Sequence, residues 1–115
     1  GESWVYKGST LLDEGPGVRP TRTLIHLSRG GADATVVREF DLEALRFVPP
    51  AEGGFQLPEA KSSVDWQSRD VLLVGTDFGE GSLTDSGYPR TVHEWRRGTP
   101  LSDSVEVFRG EQSDV

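Results

Sequence analysis

The sequence has 115 residues, enough for one compact domain, and carries a formal net charge of −7 from Lys+Arg 12 against Asp+Glu 19. That balance speaks against nucleic acid and against an anionic membrane, since both need clustered Lys and Arg on one surface. Cys 0 excludes disulfides and thiolate chemistry, and Met 0, at position 1 as elsewhere, reads as a piece cut from something longer.

In chain order, the pattern is one of short β-like runs separated by turn residues. Residues 3–12 open with the strand formers Trp4, Val5 and Tyr6. Residues 23–28 alternate, with Leu24, His26 and Ser28 on one side and Thr23, Ile25 and Leu27 on the other. Gly30-Gly31 marks a turn, and residues 34–41 resume with Val36 and Val37. Residues 38–47 also fit a helical stripe through Phe40, Ala44 and Phe47. Val36-Val37 lead straight into it, however, and no Ser, Thr, Asp or Asn caps it, so a strand through Phe40 and a turn at residues 42–45 are expected. After Pro49-Pro50 and Gly53-Gly54 come runs at 64–67, 70–76, 91–97 and 105–109. The fold expected is all-β.

The two halves repeat. Trp66 stands in the second series where Trp4 stands in the first, Thr91-Val92-His93-Glu94-Trp95 where Val36-Val37-Arg38-Glu39-Phe40 stands, and residues 105–108 where Arg46-Phe47-Val48 stands. Each half thus offers four strands in up-and-down order, the arrangement of a β-propeller blade, with longer loops than the ~40–45 residues of a WD-type repeat allow. The expectation is two consecutive four-stranded antiparallel blades: residues 1–50 the first, 51–63 a connection, 64–110 the second, and 111–115 the start of another. Two blades cannot close a ring, since propellers use ~4–8. Their uncovered faces and edges predict that such a piece self-associates. In up-and-down blades the segments 30–33, 49–62 and 75–90 share one side of the disc, and a partner domain would meet that side.

Catalytic signatures are missing. The nearest approach to G-x-S-x-G is Gly79-Glu80-Gly81-Ser82-Leu83, with the serine misplaced and the last glycine lacking. No phosphate-binding glycine motif occurs, and the two histidines, His26 and His93, have no ligand-like neighbours, so neither a metal nor a cofactor is expected. Trp4, Trp66 and Trp95 fall within strand-like runs and read as packing residues. The longest aliphatic run, 71–74, is far short of the ~18 residues of a membrane helix, and residues 1–10, with no basic region followed by an apolar core, do not read as a signal peptide. A soluble piece is expected, its compartment (cytoplasmic or periplasmic) left open.

The best functional candidate is the loop at 75–90, GTDFGEGSLTDSGYPR, because long loops in compact repeats are usually functional or disordered. Its chemistry-bearing residues are Asp77, Phe78, Glu80, Ser82, Asp85, Tyr88 and Arg90. Asp77, Glu80 and Asp85 lack the D-x-D-x-D-G spacing of a calcium loop.

Several stretches carry a likeness: Ser28-Arg29-Gly30-Gly31-Ala32-Asp33, Arg38-Glu39-Phe40-Asp41, Leu57-Pro58-Glu59-Ala60-Lys61-Ser62, Thr84-Asp85-Ser86-Gly87-Tyr88-Pro89-Arg90 and Arg97-Gly98-Thr99-Pro100-Leu101. In this order, the sequence from Glu2 to Val115 resembles the N-terminal propeller of the prolyl oligopeptidase family of serine peptidases. The resemblance implies a seven-bladed propeller over an α/β-hydrolase domain that carries a Ser-Asp-His triad. It implies that the propeller admits short peptides as substrates and keeps folded proteins out. No triad residue maps here, so the resemblance makes the segment non-catalytic, with the hydrolase domain of the same chain as its partner. The competing expectation is an independent propeller-like module that binds a peptide or glycan through its loops.

Overall fold

In a computed structural model of the chain, residues 3–30, 32–79 and 81–110 are described. Two compact units divide it, Gly1–Glu59 and Ala60–Val115. Each holds one antiparallel sheet, and the described residues contain no α-helix, hence none long and apolar enough to cross a membrane.

The first sheet comprises β1 (Trp4–Leu11), β2 (Arg22–Arg29), β3 (Thr35–Asp41), β4 (Arg46–Phe47) and β5 (Gln56–Ala60). The order is β1-β2-β3-β4, with β5 also paired to β3. The fourth strand of the blade is therefore split. Residues 51–63, expected as a connection, contribute β5, which Pro58 suits because an outer strand can spare one backbone donor. Between the two halves, Pro50–Glu52 forms a single 3-10 turn, and Gly54 packs so tightly that a Cβ would lie 1.9 Å from the Val48 carbonyl oxygen. The core of the sheet is Leu24, Val37 and Leu57, with Phe55 and Leu12 beside them. Buried in it is the carboxylate of Glu39, which accepts from Arg22 Nη1 at 2.6 Å and from the Phe55 backbone N–H at 3.0 Å. The Glu39 backbone binds both flanks of the split, donating to the Phe55 carbonyl and accepting from the Val48 N–H.

The second sheet runs β6 (Ser63–Ser68), β7 (Val71–Gly75), β8 (Thr91–Arg96) and β9 (Val105–Arg109), each paired to the next. Alternation puts Leu72, Val74 and Trp95 in its interior, and Trp95 donates from its indole to the Thr99 carbonyl at 2.8 Å. The tight β6–β7 turn is tied to the β8–β9 turn by Arg97, whose Nε lies 2.9 Å from Asp70 Oδ1 and whose backbone N–H binds the Asp70 carbonyl. Of the three tryptophans, Trp95 alone is buried. Trp4 is 46% exposed on edge strand β1, with the Arg29 guanidinium 5.3 Å from its ring centre. Up-and-down pairing sets the 75–90 loop at the end of the second sheet opposite those two short turns.

Candidate functional site

The loop starts where β7 meets its own return. Gly75 is closely walled, since a Cβ there would come within 2.8 Å of Ser63 Oγ and 3.2 Å of Pro89 Cβ. The buried Thr76 hydroxyl shares a 2.8 Å hydrogen bond with Ser62. Asp77 Oδ1 then accepts from the Gly79 N–H at 2.9 Å, an Asx turn, while Gly79 and Gly81 take the positive φ values that L side chains resist. Ser82 Oγ accepts from the Phe78 N–H at 2.9 Å and donates to the Gly79 carbonyl at 2.7 Å. The residue is 5% exposed, so this hydroxyl braces the loop from within.

The returning half is a small turn closed on itself. The Thr84 N–H donates to the Tyr88 carbonyl at 2.7 Å and Thr84 Oγ1 accepts from the Tyr88 N–H at 3.1 Å, with Leu83 and Pro89 bridged beneath. Arg90 fastens the base, donating from Nε to the Gly81 carbonyl at 2.7 Å and from Nη1 to the Gly110 carbonyl at 2.8 Å. Arg109 reaches the same Gly81 carbonyl from β9.

Two residues outside the segment complete the arrangement. His93, on β8, stacks its ring on Phe78 with centroids 3.6 Å apart and planes 11° from parallel. Its Nδ1 lies 3.0 Å from Ser104 Oγ. Burial lowers the His93 pKa below its usual value, and the facing Glu106 carboxylate opposes that shift. Lys61, just before β6, holds its ammonium 4.6 Å from the centre of the Tyr88 ring.

The sequence candidates thus separate by role. Ser82 and Arg90 point their polar groups at loop backbone, and Phe78 faces His93. Asp77, Asp85 and Tyr88 are exposed, the last by 51%, and form the outward surface of the loop. Glu80 lies outside the described residues. His93 and Lys61 belong to the arrangement and were not among the candidates. His93 reads as an ordinary strand residue, and the Lys61–Tyr88 contact joins positions far apart in the chain. Among the described residues, no three acidic or histidine side chains gather as a metal would require. The outward surface offers two carboxylates, a phenol and an ammonium, groups able to form hydrogen bonds and ion pairs.

The chain is 41% identical over its whole length to an uncharacterized peptidase of Sinorhizobium fredii, of which it spans 15%. It is 31% identical over 77% of its length to an uncharacterized peptidase of Rickettsia prowazekii, of which it spans 13%. The structure of a post-proline cleaving enzyme from Rickettsia typhi superposes with a TM-score of 0.83 over 96% of this chain and 16% of the enzyme, at 27% identity. The structural neighbour is a prolyl oligopeptidase-family enzyme, and this chain matches a small part of it. The matching part is the N-terminal propeller region of that enzyme, and the two sheets are two of its blades. No protein-family model matches the chain.

Proposed function

We propose that this segment gates peptide access in a prolyl oligopeptidase-family serine peptidase and contributes no catalytic group itself. Its partner is an α/β-hydrolase domain of the same protein, and the 75–90 loop is where the blade meets that domain or the approaching peptide. One observation carries the reading: every buried polar group of the loop described above is used to hold its shape, while Asp77, Asp85 and Tyr88 face outward on that fixed frame. A surface pre-organised in this way binds without paying again for loop ordering. The parent activity in this proposal is cleavage of short peptides after proline.

The simplest test is chemical. The purified chain is expected to leave a chromogenic proline peptide intact, and robust turnover by pure material overturns the proposal. In a full-length peptidase carrying this segment, Tyr88→Ala is expected to alter kcat/KM for peptides while the fold is kept. An unchanged kcat/KM for all peptide lengths contradicts a role for the loop.

A further inference from the structure

Away from the 75–90 loop, the first blade ends in a groove of about 720 Å³ between two turns. One wall comes from the β1–β2 turn, with Leu11, Arg19 and Pro20, and the other from the β3–β4 turn, with Leu42, Glu43 and Leu45. Its rim is unusually apolar for a turn, since Leu11 is 55% exposed and Leu45 73% exposed.

Leu45 also stands in a costly conformation. It is the only non-glycine residue with positive φ among the described residues, at 57°. A branched side chain in that region costs roughly 1–2 kcal/mol, which glycine would avoid. The conformation is imposed by Asp41, whose Oδ1 accepts from the Glu43 and Ala44 N–H groups at 2.8 and 3.0 Å and whose carbonyl accepts from the Leu45 N–H at 2.8 Å. The turn therefore holds an isobutyl group largely out in water, on a base fixed by Asp41.

We propose that this end of the first blade is a two-fold interface between two copies of the chain. The charges select that occupant. Arg19 and Glu43 stand on opposite walls, and neither side chain has an ion-pair partner among the described residues. A two-fold axis across the groove sets Arg19 of each copy on Glu43 of the other and Leu45 of each against the other's apolar floor, the self-complementarity an isologous contact requires. A partner of one charge sign would be repelled at one wall. General repulsion between copies of net charge −7 opposes association, so the reciprocal pairs decide whether it forms.

Sedimentation velocity of the chain over a concentration series tests this. A dimer is expected, weakened about tenfold or more by Arg19→Glu or Glu43→Arg alone and restored when the two are combined. Leu45→Gly is expected to dissociate the dimer while leaving thermal stability equal or higher, a split that a merely structural leucine would not produce. Phe108→Ser, on the exposed face of β9, is expected to leave the dimer intact. A monomer at every concentration, a double variant no better than the single ones, or a dimer broken by Phe108→Ser alone overturns the proposal. So does a monomer whose Arg19 and Glu43 amide resonances move on adding a proline-rich peptide, which would give the groove to a peptide instead.

Discussion

Phe78 and His93 lie ring on ring, 3.6 Å between centroids, and this stack joins the near half of the 75–90 loop to β8. The histidine is held from its other side by Ser104. The loop is therefore anchored to the sheet through an ionisable group.

That anchor makes the second blade sensitive to acid. Burial is the larger cause of the lowered His93 pKa, against the opposing pull of Glu106, so the folded state prefers the neutral ring relative to an unfolded value of 6.5. The contribution is complete above that value and is lost as pH falls through the lower folded one, because the unfolded chain then binds more protons. His26 is shifted the same way by burial, so both histidines are expected to lower the melting temperature between about pH 7 and about pH 5. His93→Gln should flatten part of that slope. A histidine NMR titration giving His93 a midpoint above 6.5 contradicts this account.

Ser82→Ala removes the hydroxyl that joins the Phe78 N–H to the Gly79 carbonyl. The expected cost is about 1–3 kcal/mol, paid locally. Amide exchange should quicken at Phe78, where a donor loses its acceptor, with little change in the first blade. Exchange that is unaltered at Phe78 would show that the hydroxyl is not a brace.

In the first blade, Glu39→Ala leaves the Phe55 N–H without its acceptor and the Arg22 guanidinium with only the more distant Asp41 carboxylate, 3.7 Å from Nη2. Removing one partner of a buried pair costs about 3–5 kcal/mol, and urea unfolding should report a loss of that order. A loss below about 1 kcal/mol would mean that water replaces the carboxylate freely.

Gly54→Ala places a methyl group 1.9 Å from the Val48 carbonyl oxygen and 2.6 Å from its carbon, both backbone atoms that cannot swing aside. A loss of about 3 kcal/mol or more is expected, from displacement of the segment joining β4 to β5. Gly98→Ala is the matched control, with φ 82° but open space around the added carbon, and should cost only about 1–2 kcal/mol. Equal losses at the two sites would argue against close packing at Gly54.

The strands themselves were legible because alternation and turn chemistry agree. Leu24 and Val37 fall on the buried side, and the turn at residues 42–45 follows Asp41 as expected. β5 is not legible in the sequence because Pro58 and its neighbours read as a connection, and only pairing with β3 makes them a strand. The burial of Glu39 was equally hidden. A carboxylate in an alternating run looks solvent-facing until Arg22, far away in the chain, is seen beside it. Within the loop, Ser82 and Arg90 stand out in the sequence for their chemistry, and their work as braces depends on backbone positions that no spacing encodes.

Gating is tested most directly by how a full-length peptidase carrying this segment discriminates between substrates of different length. Ser82→Ala, combined with Phe78→Ala, frees the loop from both its internal brace and its anchor on His93. The account predicts that kcat/KM for a short chromogenic proline peptide stays within about threefold, while cleavage of long or folded substrates rises by about tenfold or more. An unchanged preference for short peptides in the folded double variant would contradict it.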